Sequence, residues 1–98
     1  MPKLHIALRD GFSGQAVAVR IAGREVYRRE GVKTDLRISR ADEADAEAPE
    51  GPVTVEVEAG GRKAAVQIDA GRTPHLWVDR RDEGALDLRP SAEPAGFL

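Results

Sequence analysis

The sequence contains no cysteine, which excludes a disulfide framework and any metal site built on thiolates. Aromatic residues are also scarce, with one Trp, one Tyr and two Phe. A single domain of 98 residues buries only roughly 60 to 68% of its unfolded surface, so its core is modest. Apolar packing must therefore supply the stability, with oligomerisation as the other possible source.

Long hydrophobic runs are absent too. No apolar stretch approaches the ~18 residues that a transmembrane helix requires. The amino terminus, MPKLHIALRD, lacks the basic start and the apolar run of a secretory signal. We therefore expect a cytoplasmic protein that does not bind a membrane.

The net charge of −2 conceals an uneven distribution of charged residues. Residues 20–40 contain seven basic side chains and three acidic ones, whereas residues 41–58 contain seven acidic side chains and no basic one. This asymmetry indicates either a partner of matching polarity or two patches that neutralise each other in the fold.

The strongest pattern is an alternation of apolar and polar residues, which is typical of strands with one face toward a core. Glycine-containing turn sequences separate the runs, and Gly60-Gly61 is the clearest hairpin signal. We predict an all-β fold, a single small antiparallel β-sandwich of about seven to nine short strands. The alternating segments are residues 3–9, 15–21, 32–38, 53–59, 64–70 and 85–89.

Two segments are less regular. Residues 39–52 could form a short helix capped by Ser39, but we favour an acidic edge strand, because charge on an edge discourages unwanted pairing. After Arg89 the alternation stops, and PSAEPAGFL has no periodicity. We therefore assign residues 1–89 to the sandwich and residues 90–98 to an irregular carboxyl-terminal tail.

Four segments together resemble the PEGA and carboxypeptidase-regulatory-like β-sandwich modules. They are VAVRIAGREV (17–26), GVKTDL (31–36), PEGPVTVEVEAGG (49–61) and VQIDAGRTPHLWV (66–78). The chain departs from that pattern at Asp35, where Pro would follow Thr34. The resemblance implies a small β-sandwich with a non-catalytic role, and it carries over no functional residue.

Motifs for catalysis and metal binding are missing. Ser13 lies in GFSGQ, which is not the G-x-S-x-G motif of a nucleophile elbow. The acidic residues 42–50 lack the spacing of a calcium loop. His5 and His75 could pair as metal ligands if their strands are neighbours, but no third ligand is evident. We therefore expect no enzyme activity, no metal and no cofactor.

The basic residues 20–40 raise the question of nucleic-acid binding. Single-stranded nucleic acids are usually bound by a cationic groove together with stacking aromatic side chains. Tyr27 is the only aromatic residue in this segment. We therefore expect no nucleic-acid partner.

Trp77 lies in HLWVD, where Leu76 and Val78 share one face and His75, Trp77 and Asp79 share the other. An outward Trp would be a good anchor for a partner. Trp is usually well buried, however, and we favour burial of Trp77 by the core or by the tail.

These observations predict a non-enzymatic accessory or protein-interaction module. The partner is another protein or a second copy of the chain, which would give a homodimer. The alternative is a small-molecule or carbohydrate-binding sandwich that uses Trp77 as a stacking platform. The candidate binding residues are Trp77, His75, Arg24, Arg28, Arg29, Arg37, Phe97 and Leu98.

Overall fold

The computed structural model describes residues 2–35, 37 and 40–93, and within them the chain forms eight β-strands and one short 3-10 turn at Asp82–Gly84. The predicted all-β sandwich is confirmed. No helix in this part of the chain is long and apolar enough to cross a membrane. The strands are β1 Lys3–Leu8, β2 Ser13–Ile21, β3 Arg24–Lys33, β4 Asp42–Glu47, β5 Pro52–Ala59, β6 Arg62–Asp69, β7 His75–Arg80 and β8 Leu86–Ser91.

The strands form two sheets of four. The first sheet has the order β4-β1-β7-β8, and the second has the order β3-β2-β5-β6. Neighbouring strands are antiparallel except for β1 and β7, which are parallel. At the two sides of the sandwich, β3 lies beside β4 and β6 lies beside β8. The edge strands are therefore β4 and β8 in the first sheet and β3 and β6 in the second.

The core lies between the sheets and consists of the inward residues of the alternating segments. Each fully buried Leu, Ile or Val side chain contributes roughly 1.5–3 kcal/mol relative to an exposed one, so the core supplies most of the stabilisation. The large side chains that are fully buried are Leu4, Ile6, Leu8, Val17, Val19, Val55, Val57, Ile68, Leu76 and Val78.

Two tight turns connect hairpins of the second sheet. Gly60 and Gly61 join β5 to β6 with φ values of 56° and 85°. Ala22 and Gly23 join β2 to β3 with φ values of 53° and 80°. Two successive positive φ values are characteristic of the type I′ turn, whose twist matches that of the flanking strands. The predicted Gly60-Gly61 hairpin is confirmed.

The predicted strand over residues 32–38 is present only as far as Lys33, where β3 ends. Asp35 forms an isolated bridge with Arg40, and Leu36 and Ile38 lie outside the described residues. Thr34 is buried because its hydroxyl is used inside the fold, where it accepts the N–H of Phe12 and donates to the carbonyl of Arg9. The earlier part of β3 was not predicted as a strand. Most side chains of this edge strand are exposed, so apolar and polar residues do not alternate along it.

The favoured edge strand within residues 39–52 is confirmed as β4. Its Ala44 and Ala46 are half-buried, and its Glu43, Asp45 and Glu47 are exposed. At the other end of the chain, β8 continues past Arg89 to Ser91. Pro90 is compatible with this edge position, where a missing N–H is tolerated. Phe97 and Leu98 lie outside the described residues.

Candidate functional site

The outer face of the first sheet carries the chemically distinctive side chains of the molecule. Alternation directs Leu4, Ile6 and Leu8 of β1 into the core, so the residues between them point outward. The same alternation in β7 buries Leu76 and Val78. We name the resulting surface the His–Trp face, and define it by His5, Ala7, Arg9, His75 and Trp77.

His5 and His75 form the first contact on this face. They are paired in register between the parallel strands β1 and β7, and their rings stack with centroids 5.0 Å apart and an interplanar angle of 24°. Asp45 of β4 contacts Nδ1 of His5 from the other side. The two imidazoles and the carboxylate therefore form one continuous row across three strands.

His5 and His75 were candidate metal ligands on the condition that their strands are neighbours. No group of three or more His, Cys, Asp or Glu side chains suited to a metal ion occurs among residues 2–35, 37 and 40–93. The strands of His5 and His75 are neighbours, which is the condition for these two residues to bind one metal ion together. The Asp45 carboxylate, however, is directed at His5 rather than at a site shared with His75.

Trp77 is the second element of the His–Trp face. Its side chain is half-buried and is not part of the core cluster. Of the two favoured forms of burial, burial in the core is therefore wrong, and burial under Phe97 or Leu98 of the tail lies outside the described residues. Ala7 stands beside it in β1 and Arg89 in β8. The guanidinium of Arg9 lies 5.0 Å from the centroid of the indole ring, within the range of a cation–π interaction.

The indole N–H of Trp77 has no hydrogen-bond partner in the part of the chain that the structure describes. Its Nε1 atom is buried. An unsatisfied buried donor costs roughly 1–3 kcal/mol, and a nearby acceptor from another molecule would remove that cost. The indole donor is therefore covered by neighbouring atoms and unsatisfied among the described residues, and an acceptor from another molecule can reach it only if these atoms move.

A charged network lies next to Trp77 on β7 and β8. Arg81 and Arg89 contact the same carboxylate oxygen of Asp87, at 2.7 and 3.0 Å. The hydrogen bond from Arg81 is the main reason why the pKa of Asp87 is below its ordinary value. Asp79 is buried and accepts the backbone N–H of Asp10 at 3.1 Å. This side of the face therefore presents Arg81 and Arg89 to solvent, over carboxylates that are already paired.

The predicted basic group does not join the His–Trp face. Arg28 and Arg29 lie on β3, at the edge of the second sheet. Arg28 is 2.8 Å from Glu25, and Arg29 is 3.0 Å from Asp42. The basic and acidic segments of the sequence therefore neutralise each other in part, which was one of the two explanations of their asymmetry.

The other two predicted arginines occupy different places again. Arg37 lies between β3 and β4, and its guanidinium contacts both carboxylate oxygens of Asp35. Arg24 begins β3 and lines a groove at the side of the sandwich. The structure thus brings Trp77 and His75 together but leaves Arg24, Arg28, Arg29 and Arg37 away from them.

The groove beside Arg24 has a volume of about 540 Å³ and separates the edge strands β3 and β4. Its apolar lining comes from small and medium side chains. Its apolar lining residues include Ile21, Val26, Ala46 and Pro49, and the charged side chains Arg24 and Glu47 also line it.

A hydrogen bond between the edge strands closes this side of the sandwich beyond the groove. The hydroxyl of Tyr27 in β3 donates to Oδ2 of Asp42 in β4 at 2.6 Å. Burial and the hydrogen bond to Asp42 both raise the pKa of Tyr27, so the phenol stays protonated.

Several residues on or beside the His–Trp face were not among the predicted binding residues. His5, Arg9 and Asp45 join it only because β1 pairs with β4 on one side and with β7 on the other. The alternation showed which way His5 and Arg9 point, but it contains no information on which strand becomes the neighbour of β1.

Comparison with known proteins identifies no relative of this chain. No family model, no curated protein and no solved structure matches it. The resemblance to PEGA and carboxypeptidase-regulatory-like modules therefore stays a prediction, and function must be inferred from the geometry of this chain.

Proposed function

We propose that the chain is a non-enzymatic protein-interaction module that binds its partner through the His–Trp face. The observation that carries this proposal is Trp77, which lies half-buried on the outside of a sheet, and whose indole N–H has no hydrogen-bond partner among the described residues. Trp is enriched among the residues that dominate binding energy in interfaces, because it offers a large apolar area and one donor. A partner would contact the exposed part of the ring, and its carbonyl or carboxylate would satisfy the indole donor only if the indole shifted to uncover Nε1.

The surroundings of Trp77 also favour a protein partner. His5 and His75 add flat, amphipathic surface beside the indole, while Asp45 and Arg89 place charges of opposite sign at its two sides. An aromatic centre with a polar rim is the usual anatomy of a protein interface. The opposite charges would set the orientation of the partner.

The carbohydrate alternative is less well supported by the same residues. A sugar that stacks on an indole needs an open ring face. Arg9 already places its guanidinium 5.0 Å from the ring centroid. A sugar would have to displace Arg9 or use the opposite side of the ring, whereas a protein partner can keep this contact inside the interface.

The experiment is capture of partners from the lysate of the source organism, with wild type compared with Trp77→Ala and Arg89→Glu. Lys63→Ala is the matched control, because Lys63 is 59% exposed on the outer side of the second sheet. Circular dichroism establishes that each variant is folded. We expect wild type and Lys63→Ala to retain the same protein, and both face variants to lose it.

Equal retention by all four proteins would overturn the proposal. A parallel titration of wild type with soluble sugars, read by the fluorescence of Trp77, tests the alternative directly. We expect no change in emission. A saturable shift with one sugar would favour carbohydrate binding instead.

A further inference from the structure

Within residues 2–35, 37 and 40–93, no strand pairs with the outer edge of β4. The N–H of Ala48 donates to the carbonyl of Pro2 at 2.9 Å, which sets the alternation of hydrogen bonds between β4 and β1. In an antiparallel pair, bonded positions alternate with positions that face away. The backbone groups of Asp45 and Glu47 therefore point to the free edge of the first sheet.

One contact is consistent with this assignment. The N–H of Glu43, two residues before Asp45, donates to Oδ1 of Asp42 at 2.9 Å. That N–H is thus used by a neighbouring side chain rather than by β1. The open part of the edge accordingly begins after Glu43 and continues to Glu47.

The groove lies under this same part of the edge. Ala46 of β4 and Val26 of β3 both line it. A strand added to β4 would direct every second side chain toward this groove, because side chains alternate along a strand. The small Ala46 leaves room for a side chain the size of Val or Leu.

The remaining side chains of an added strand would lie on the outer face, next to the acidic side chains of β4. Glu47 is exposed, and the structure describes no ion pair for it within residues 2–35, 37 and 40–93. Asp45 is 61% exposed although it contacts His5. Glu43 is paired with Arg40 at 2.7 Å. The edge therefore offers two accessible carboxylates and favours Lys or Arg in the added strand.

The same charges disfavour pairing of β4 with β4 of a second copy. Like charges directly opposite each other across two strands are destabilising. Charge on an edge strand is a known protection against self-association, and it also selects a partner of the opposite sign.

We propose that the free edge of β4 binds an extended segment of a partner protein in which apolar residues alternate with Lys or Arg. The inference rests on the proposed function, that this chain binds protein, and it names the chemistry of the bound segment. The segment adds a fifth strand to the first sheet, its apolar side chains enter the groove, and its basic side chains meet Asp45 and Glu47. Strand addition of this kind combines main-chain affinity with side-chain specificity.

The test uses the full chain and fluorescein-labelled peptides, with binding read by anisotropy. The probe is KVRVKVR. Its controls are KRKRVVV, which has the same composition without the alternation, and EVEVEVE, which has the alternation with the opposite charge. We expect KVRVKVR to bind at least about tenfold more tightly than either control, because only it offers both groove contacts and charge pairing.

Two further measurements locate the binding. Amide hydrogen exchange should become slower at Asp45 and Glu47 when KVRVKVR is added. Glu47→Lys should weaken binding at least about fivefold by replacing attraction with repulsion. The control Glu93→Lys changes an exposed acid after β8, at the opposite edge of the first sheet, and should leave binding unchanged.

Several outcomes would overturn the inference. Equal binding of KVRVKVR and KRKRVVV would show charge attraction without strand addition. Protection of amides elsewhere would place the site away from β4. Binding only after removal of residues 94–98 would make the tail the natural occupant, and dimerisation abolished by Glu47→Lys would make it a second copy.

Failure of this inference can be distinguished from failure of the proposed function. If the captured partner depends on Trp77 but KVRVKVR does not bind, the His–Trp face is the interface and the edge of β4 is not used. If KVRVKVR binds at β4 while capture does not depend on Trp77, the edge is the binding site and the His–Trp face is not. The two results are obtained from separate variants, because Trp77 and Glu47 lie on different strands.

Discussion

Tyr27 of β3 and Asp42 of β4 are joined by a 2.6 Å hydrogen bond between the phenol and the carboxylate. The two strands are edges of different sheets, so this bond links the sheets at the side where the groove separates them. Arg29 contacts the same carboxylate oxygen at 3.0 Å. The side chain of Asp42 is only 21% exposed, which makes the loss of a partner costly.

We expect Tyr27→Phe to lower the free energy of unfolding by about 1–3 kcal/mol, because it removes a hydrogen bond to a largely buried carboxylate. Urea unfolding followed by circular dichroism measures this. Arg28→Ala is the control, since it breaks an exposed ion pair on the same strand, and it should leave the urea midpoint unchanged. An unchanged midpoint for Tyr27→Phe would show that the bond does not stabilise the sandwich.

The pKa of Asp42 leads to a prediction about acid stability. Burial alone would raise this pKa, but hydrogen bonds from Tyr27, from the N–H of Glu43 and from Arg29 outweigh it and lower the pKa below 3.8. The folded state therefore binds this proton less readily than the unfolded state. The resulting stabilisation is present above the unfolded pKa and is lost as the pH falls through the folded value.

We expect Asp42→Asn to be less stable than wild type at about pH 6, with a difference that shrinks as the pH falls below about 4. Urea midpoints of both proteins across this range measure the effect. A difference that stays constant with pH would mean that the charge of Asp42 does not contribute to stability.

Thr34 holds the connection between β1 and β2. Its Oγ1 accepts the N–H of Phe12 at 3.0 Å and donates to the carbonyl of Arg9 at 2.6 Å. Thr34→Val keeps the shape but leaves the buried N–H of Phe12 unsatisfied, so we expect a loss of about 1–3 kcal/mol in unfolding free energy. Thr54→Val is the matched control at an exposed position of β5 and should change the unfolding free energy by less than about 0.5 kcal/mol.

Gly11 is required by a close approach of two backbone segments. Its φ is +88°, and an added Cβ would lie 1.8 Å from the carbonyl oxygen of Arg80. We expect Gly11→Ala to destabilise the fold by about 4 kcal/mol or more, because backbone atoms would have to move. Gly14 also has a positive φ, but among the described residues no atom lies within 4 Å of an added Cβ. We therefore expect Gly14→Ala to lower the free energy of unfolding by only about 1–2 kcal/mol. Thermal and urea unfolding of the two variants measures the difference.

The sequence predicted the parts of this fold that depend on local alternation. Leu4, Ile6 and Leu8 point inward because apolar and polar residues alternate in β1, and a short window of sequence contains that information. The Gly60-Gly61 turn was equally local, since its backbone conformation favours glycine. Thr34 was assigned to a strand because a buried Thr at this position continues the alternation. In the structure Thr34 is buried for a different reason, since its hydroxyl accepts the N–H of Phe12.

The candidate site was harder to predict because it depends on strand order. The stacking of His5 and His75 requires β1 and β7 to be parallel neighbours, and their separation in the chain gives no local signal of this pairing. The outward direction of Trp77 followed from alternation, but its contact with Arg9 did not. Arg28 and Arg29 were grouped as one basic surface because they are adjacent in the sequence. In the fold, Arg28 forms an ion pair with Glu25 and Arg29 forms one with Asp42, and these contacts depend on the fold.

The most direct test of protein binding by the His–Trp face is photo-crosslinking in cells of the source organism. The photoreactive residue p-benzoylphenylalanine replaces Ser91, which lies on β8 and is paired in register with His75, so that Arg89 and Trp77 are both kept. The control places it at Lys63, on the outer side of the second sheet. We predict a discrete crosslinked protein from position 91 that disappears in the Trp77→Ala background, and none from position 63. Crosslinks from position 63 alone, or from position 91 independently of Trp77, would contradict the account.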